Sequence, residues 1–234
     1  MRGEKEMDQT GMLALILILV LAAFALYRIW KGKRKRKDHQ KQLSRIGNFG
    51  EARLRSNLSD IPEPKRILRH LYLPVGNGDQ TTEIDLLMIH RTGIYVFESK
   101  NYSGYVKGKE RKKKWIQITR SGIRPFYNPI MQNAGHIRAL KRILSDIVDR
   151  WDYYSIIVFG DECRIRHNRI KSRHTYIIRY QDVKELCDRL AQTSRVRYSE
   201  KQIEQIAKLL SEYIDVKKKV MKQHARDIER NYTY

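Results

Sequence analysis

Hydrophobic positions fall into blocks of different period along the chain, and the periods predict the elements. Residues 12–27 (MLALILILVLAAFALY) are continuously apolar. Over residues 44–58, Ile46, Phe49, Ala52, Leu54 and Leu58 approximate one helical face, and Ile61-Pro62-Glu63-Pro64 breaks it. Residues 66–75 have strand character, and Gly76-Asn77-Gly78-Asp79 is a turn cluster. Residues 82–90 and 93–100 read as two strands of a hairpin around Arg91-Thr92. A second hairpin joins 105–106 to 115–119 across the basic loop 107–114. Residues 128–148 read as a helix, 153–159 (YYSIIVF) as a short buried strand and 174–180 as another. From 181 onward the pattern is helical, with Ile203, Ile206, Leu210, Tyr213 and Ile214 on one stripe that suits packing on the domain better than a dimer seam. Helix, strands, helix, strand is the order of an α/β or α+β domain, a mixed sheet flanked by helices.

The first block changes the picture most. Sixteen apolar residues reach roughly 24 Å, and Gly11, Arg28, Ile29 and Trp30 extend them toward the ~30 Å hydrocarbon core. Arg28 can snorkel and Trp30 suits the interface. Ala23-Phe24-Ala25 resembles a signal-peptidase site, but the leader carries Glu4, Glu6 and Asp8, so a cleaved signal is the weaker reading. Lys31, Lys33, Arg34, Lys35, Arg36 and Lys37 follow at once, which retains the C-terminal bulk in the cytoplasm. The expected organisation is a short outer N-terminus (1–10), a transmembrane helix (11–30), a basic linker (31–43), a domain (44–180) and a C-terminal helical extension (181–234). The protein is then single-pass in the cell membrane, with its domain cytoplasmic.

Charge narrows the partner. Forty-eight Lys+Arg against 26 Asp+Glu give a net +22, a surplus that points to a polyanion, nucleic acid or anionic lipid. Cys163 and Cys187 form no CxxC pair, which excludes a zinc ribbon and a disulfide scaffold. His167 and His174 lack metal-ligand spacing. No GK[ST] follows Gly76-Asn77-Gly78, so that cluster is not a phosphate loop.

Ionisable groups on apolar strands carry the chemistry. Glu98 and Lys100 are two apart, hence on one face of their strand, above Ile94 and Val96. Asp85 lies on the neighbouring strand within reach of both. Charges on core strands are costly unless paired or bound to metal. Two carboxylates and a lysine at a sheet edge suit a Mg²⁺-dependent phosphodiesterase, while an ordinary strand-end ion pair is the plain alternative. Lys107, Lys109, Arg111, Lys112, Lys113 and Lys114, ending beside Trp115, could grip phosphates while the indole stacks on a base; a solvated loop with Trp115 in the core is equally compatible. Arg164, Arg166, Arg169, Lys171 and Arg173 form a second basic cluster, either a solvated loop or a further contact.

With those residues in place, the chain resembles the nuclease-related domain (NERD), one of the PD-(D/E)xK restriction-endonuclease-like folds. Gly47-Asn48-Phe49-Gly50-Glu51 resembles the family's opening G-x-x-G-E, and Glu83-Ile84-Asp85 its E-I-D strand. Residues 93–104 (GIYVFESKNYSG) resemble its G-x-x-V-x-E-x-K-N-x-x-G core. Asn128-Pro129-Ile130-Met131-Gln132 resembles its N-P-x-x-Q helix start, and residues 156–159 its following strand. The resemblance covers about 44–160. It implies a restriction-endonuclease-like fold with Asp85 and Glu98 as ligands of Mg²⁺ (or Mn²⁺), Lys100 as catalytic lysine, and Glu51 and Gln132 supporting the site. The implied function is a membrane-anchored nuclease acting on nucleic acid, with DNA as the first expectation. A non-catalytic nucleic-acid-binding or membrane-tethering scaffold on the same fold stands as the alternative, and a polybasic lipid-surface protein as a third.

Overall fold

The computed structural model describes residues 21–34, 49–76, 80–149, 152–167, 170–195 and 197–214. The chain divides into two compact units, 1–46 and 47–234. In the first, residues 21–34 form an exposed helix in which Lys31 lies over the Tyr27 ring and Arg34 over Trp30. Most of the apolar half of the span expected at 11–30 lies outside the described residues. Among the described residues no helix is long and apolar enough to cross a membrane.

The second unit is a mixed α/β fold. Its first helix, α1, covers residues 49–59. Strands β1 (Lys65–Pro74), β2 (Thr81–His90) and β3 (Gly93–Lys100) form an antiparallel meander. After β4 (Gly104–Gly108), β5 (Lys114–Thr119), β6 (Gly122–Tyr127) and helix α2 (Pro129–Ile143), the chain returns as β7 (Tyr153–Phe159), parallel to β3. Strand β8 (Cys163–His167) precedes β9 (Thr175–Arg179), which pairs parallel to β7. The main sheet therefore runs β1-β2-β3-β7-β9, and a smaller sheet runs β6-β5-β4-β8.

Each face of the main sheet has its own core. On one, Leu87, Ile89, Ile94 and Val96 pack with Ala139 and Leu140 of α2 and with Ile203, Ile206 and Leu210. On the other, Leu86, Met88, Tyr95 and Phe97 pack with Leu54 and Leu58 of α1 and with Val183, Leu186 and Leu190. Burial of each large aliphatic or aromatic side chain among these stabilises the fold by roughly 1.5–3 kcal/mol. Residues 183–210 thus furnish both cores from α3 (Val183–Thr193) and α4 (Glu200–Ser211). Helix α4 starts in a capping box in which Ser199 and Gln202 serve each other. Just beyond it, the Tyr213 carbonyl accepts from the Tyr72 N–H at 3.0 Å, so an amide of edge strand β1 is satisfied. The segment expected as a C-terminal extension is, as far as residue 214, an integral part of the domain.

Two strands escaped the sequence pattern. In β8, Cys163 is buried and Ile165 packs in the same third cluster, while Arg164 and Arg166 point out. This is ordinary strand alternation with arginine on the wet face. Strand β6 is half-exposed at best and contains Pro125, which suits only an edge.

One irregularity shapes the functional end. In β2, Leu87 and Ile89 belong to one core and Leu86 and Met88 to the other, yet Ile84 joins the Leu87 side. Strict alternation would put Ile84 with Leu86. In β1 the same shift separates Leu68 from Leu71, both on that same side. The pleat resets at His70 (φ 50°) in β1 and at Asp85 in β2, and the His70–Asp85 pairing is skipped while register holds on both sides.

Candidate active site

The reset frees Asp85 from the ladder at the point where β2 and β3 part, since their pairing ends at Leu86–Phe97. Beyond that pair, Glu98 and Lys100 share the face of Ile94 and Val96, under the N-terminal half of α2. Asn128 caps α2 by accepting from the Ile130 N–H at 2.9 Å, and Pro129 occupies the first turn. Asn133 donates to the Val96 carbonyl at 2.9 Å and to Ser155 Oγ at 3.0 Å, which fixes α2 over β3 and β7.

A continuous polar chain results. Thr82 Oγ1 lies 2.7 Å from His136 Nδ1, and His136 Nε2 lies 3.1 Å from Glu98 Oε2. A carboxylate only accepts, so Nε2 carries the proton toward Glu98. Glu98 Oε1 forms an ion pair with Lys100 Nζ at 2.7 Å, without an aligned hydrogen bond. Lys100 Nζ donates to Gln132 Oε1 at 3.2 Å. Gln132 and His136 are four apart and so share a face of α2.

The electrostatics separate the two carboxylates. Burial opposes ionisation of Glu98, which is only 1% exposed, but Lys100 and His136 overcome it and hold the group below the ordinary carboxylate range. The same ion pair, against the cost of burial, holds the Lys100 ammonium above its usual value. Asp85 is pushed well above the ordinary range, first by burial and then by the charge of Glu98. Glu51, on α1, is also raised, chiefly by burial; its Oε2 lies 3.5 Å from His70 Nε2, and His70 Nδ1 lies 3.0 Å from Glu83 Oε1.

Helix α1 reaches the sheet because Gly50 has no side chain. A Cβ there would collide with the Tyr180 hydroxyl and lie 3.0 Å from Asn101 Cβ. The Tyr180 hydroxyl itself bonds Ser99 Oγ at 2.5 Å.

The structure thus brings Glu98, Lys100 and Gln132 into direct contact and couples Asp85 and Glu51 to them electrostatically. Sequence reasoning missed His136, whose i+4 spacing from Gln132 was the available signal. No local pattern marks His70, and the Glu83-Ile84-Asp85 run does not show that Glu83 meets it. Trp115 requires a correction. It is 1% exposed, stacks on Phe159 at 6.4 Å and donates to the Lys109 carbonyl at 3.1 Å. It is a core residue and cannot stack on a base, whereas Lys107, Lys109, Arg111, Lys112, Lys113 and Lys114 are exposed around it.

The donor set suits a hard divalent cation. Burial and the charge of Glu98 both oppose the ionised form of Asp85, and a bound cation would relieve both penalties. Among the described residues no three His, Cys, Asp or Glu side chains are grouped as a metal cage. A hard divalent cation held here would have Asp85 and Glu98 as its oxygen donors, with water completing its shell.

Residues 46–160 match the family model of the nuclease-related domain. An uncharacterized protein of Bacillus anthracis is 29% identical over 138 residues, which cover 58% of this chain and 63% of that relative. The match thus spans less than two thirds of the relative's length. No solved structure matches.

Proposed function

We propose, from the premise that residues 46–160 are a nuclease-related domain, that this chain is a membrane-anchored, metal-dependent nuclease that hydrolyses phosphodiester bonds in nucleic acid, DNA in the first instance. One observation carries the reading: buried Glu98 is held between Lys100 and His136, beside an Asp85 whose ionisation the fold opposes. That arrangement costs stability and is explained by a cation that arrives with substrate.

Asp85 and Glu98 would hold Mg²⁺ or Mn²⁺, which supplies charge neutralisation at the phosphate and a more acidic water. Lys100 presents an ammonium to the developing negative charge or orients the attacking water. Gln132 fixes the position of that ammonium. His136, itself anchored on Thr82, fixes the Glu98 carboxylate. Glu51 adds a carboxylate from α1 at the margin of the site.

A second reading, a nucleic-acid-binding or tethering scaffold, is favoured by the same ion pair: Lys100 and His136 already compensate Glu98. The test is to incubate the full chain, in neutral detergent micelles, with labelled single- and double-stranded DNA and RNA. Reactions contain Mg²⁺, Mn²⁺ or EDTA, beside Asp85→Ala and Lys100→Ala. Metal-dependent cleavage reduced by about 10²-fold or more in both variants supports the nuclease. Binding without cleavage in every buffer supports the scaffold.

A further inference from the structure

The outer face of the smaller sheet carries a hollow of about 490 Å³ lined by Lys107, Lys109, Lys112, Lys114 and Arg166, with Ile116 among them. Lys107 pairs with Ile116 on one side and with Arg166 on the other, so two cations stand directly opposite each other on adjacent strands. Like charges so placed destabilise a sheet. Among the described residues no carboxylate lines the hollow. The single acid of the hairpin, Glu110, is engaged elsewhere: its oxygens accept from the Lys171 and Ser172 N–H groups at 2.9 Å and from the Ser172 hydroxyl. The hairpin thus lays its acid against the β8–β9 connection, away from Lys107, Lys109 and Lys112.

The loop that builds this hollow is tied to α2 by one buried side chain. Asn128 is fully buried. Its Nδ2 donates to the carbonyls of Glu110 at 2.8 Å and Lys112 at 2.9 Å, and its N–H donates to the Lys113 carbonyl at 2.9 Å. Its Oδ1 caps the helix that carries Gln132 and His136.

We propose that the hollow is a phosphate-backbone clamp. It seats successive phosphodiester groups of the nucleic-acid strand outside the bond to be cut, and Asn128 is the positioning residue that fixes it relative to α2. The inference rests on the nucleic-acid reading above and names how that strand is held. Five cations on this shallow sheet face suit the charges of a phosphate backbone, and the Asn128 link to the helix that carries Gln132 and His136 favours the strand acted on at that site over a lipid surface. Arg166 is its new member, taken from a segment whose sequence did not distinguish contact from solvated loop.

The test is equilibrium binding of a labelled oligonucleotide to the full chain in detergent micelles, in EDTA, from 50 to 200 mM KCl. The triple variant Lys107→Gln, Lys112→Gln, Arg166→Gln is expected to bind at least about 30-fold more weakly at 100 mM salt. Its log–log salt slope should be shallower by about 2–3. An equal charge change elsewhere, Arg142→Gln, Lys201→Gln, Lys208→Gln, is expected to cost less than about threefold. Asn128→Ser and Asn128→Asp keep a capping oxygen and lose the amide donor. The folded variant of the two is expected to bind about fivefold more weakly, although Ser removes no cation. Equal losses in the two triple variants would overturn the clamp. So would loss of binding to phosphatidylserine vesicles with oligonucleotide affinity intact, the signature of a lipid site. An unchanged affinity in a folded Asn128 variant would overturn its positioning role. Binding in EDTA is read without cleavage, so failure here is distinct from failure of the Lys100→Ala cleavage test.

Discussion

Asp85 illustrates a conflict between stability and chemistry at a single residue. Burial and the charge of Glu98 both oppose its ionised form. Asp85→Asn keeps the shape and removes the conflict. In metal-free buffer it is expected to raise Tm by about 2–4 °C, about 1 kcal/mol, while abolishing metal-dependent cleavage. Calorimetry beside the cleavage assay reads both; a lower Tm would show that Asp85 stabilises the fold. His90 gives a second expectation, away from the site. Burial lowers its affinity for a proton, and its Nδ1 lies 2.7 Å from Thr92 Oγ1. Below about pH 6.5 the unfolded chain takes up a proton that the folded chain resists, so stability falls as pH drops. Melts from pH 7.5 to 5 should show that decline, and His90→Asn should flatten it. At this scale the sequence revealed what lies on strands. Period 2 alone put Glu98 beside Lys100, whereas the i+4 spacing puts His136 on the face of Gln132 but does not say that this face meets Glu98, which depends on how α2 crosses the sheet.

Strands are legible in the sequence according to how completely they are buried, because burial on both faces leaves a continuous apolar run. Strands β2 and β3 carry the continuous apolar runs Leu86–Ile89 and Ile94–Phe97, and their hairpin is readable to within a residue. Strand β8 hides because its exposed positions are arginines, and α3 and α4 read as an appendage because a stripe does not name its partner. The resemblance to NERD placed Glu51 near the site, but the contact that makes this possible is Gly50 against Tyr180. Gly50→Ala is expected to lever α1 off the sheet, costing about 1–3 kcal/mol by denaturant melt. Cleavage should fall further than the loss of folded protein explains, because Glu51 moves with α1. Unchanged stability would mean that Tyr180 yields freely.

For the whole molecule, the net charge of +22 is distributed with purpose. A share of it crowds one sheet face and another share follows the apolar N-terminal block. If that block spans a membrane as its sequence suggests, the full chain should stay with the membrane pellet through alkaline carbonate extraction. Release into the supernatant would replace the anchor with peripheral attachment through the basic stretch. The domain would then meet nucleic acid beside an anionic surface, and both interactions would weaken together with salt.

The paired reset at His70 and Asp85 bears on how this domain can be recombined. Each strand changes faces once, at positions that lie opposite each other, so the two irregularities cancel and register survives. A chimera that takes β1 or β2 from a parent whose strand alternates without a break inherits one irregularity without its complement. Every side chain from Leu71 to Pro74 or from Thr81 to Ile84 would then face the wrong layer. Crossover points in a shuffled library therefore belong outside 65–90, with the two strands exchanged as one cassette.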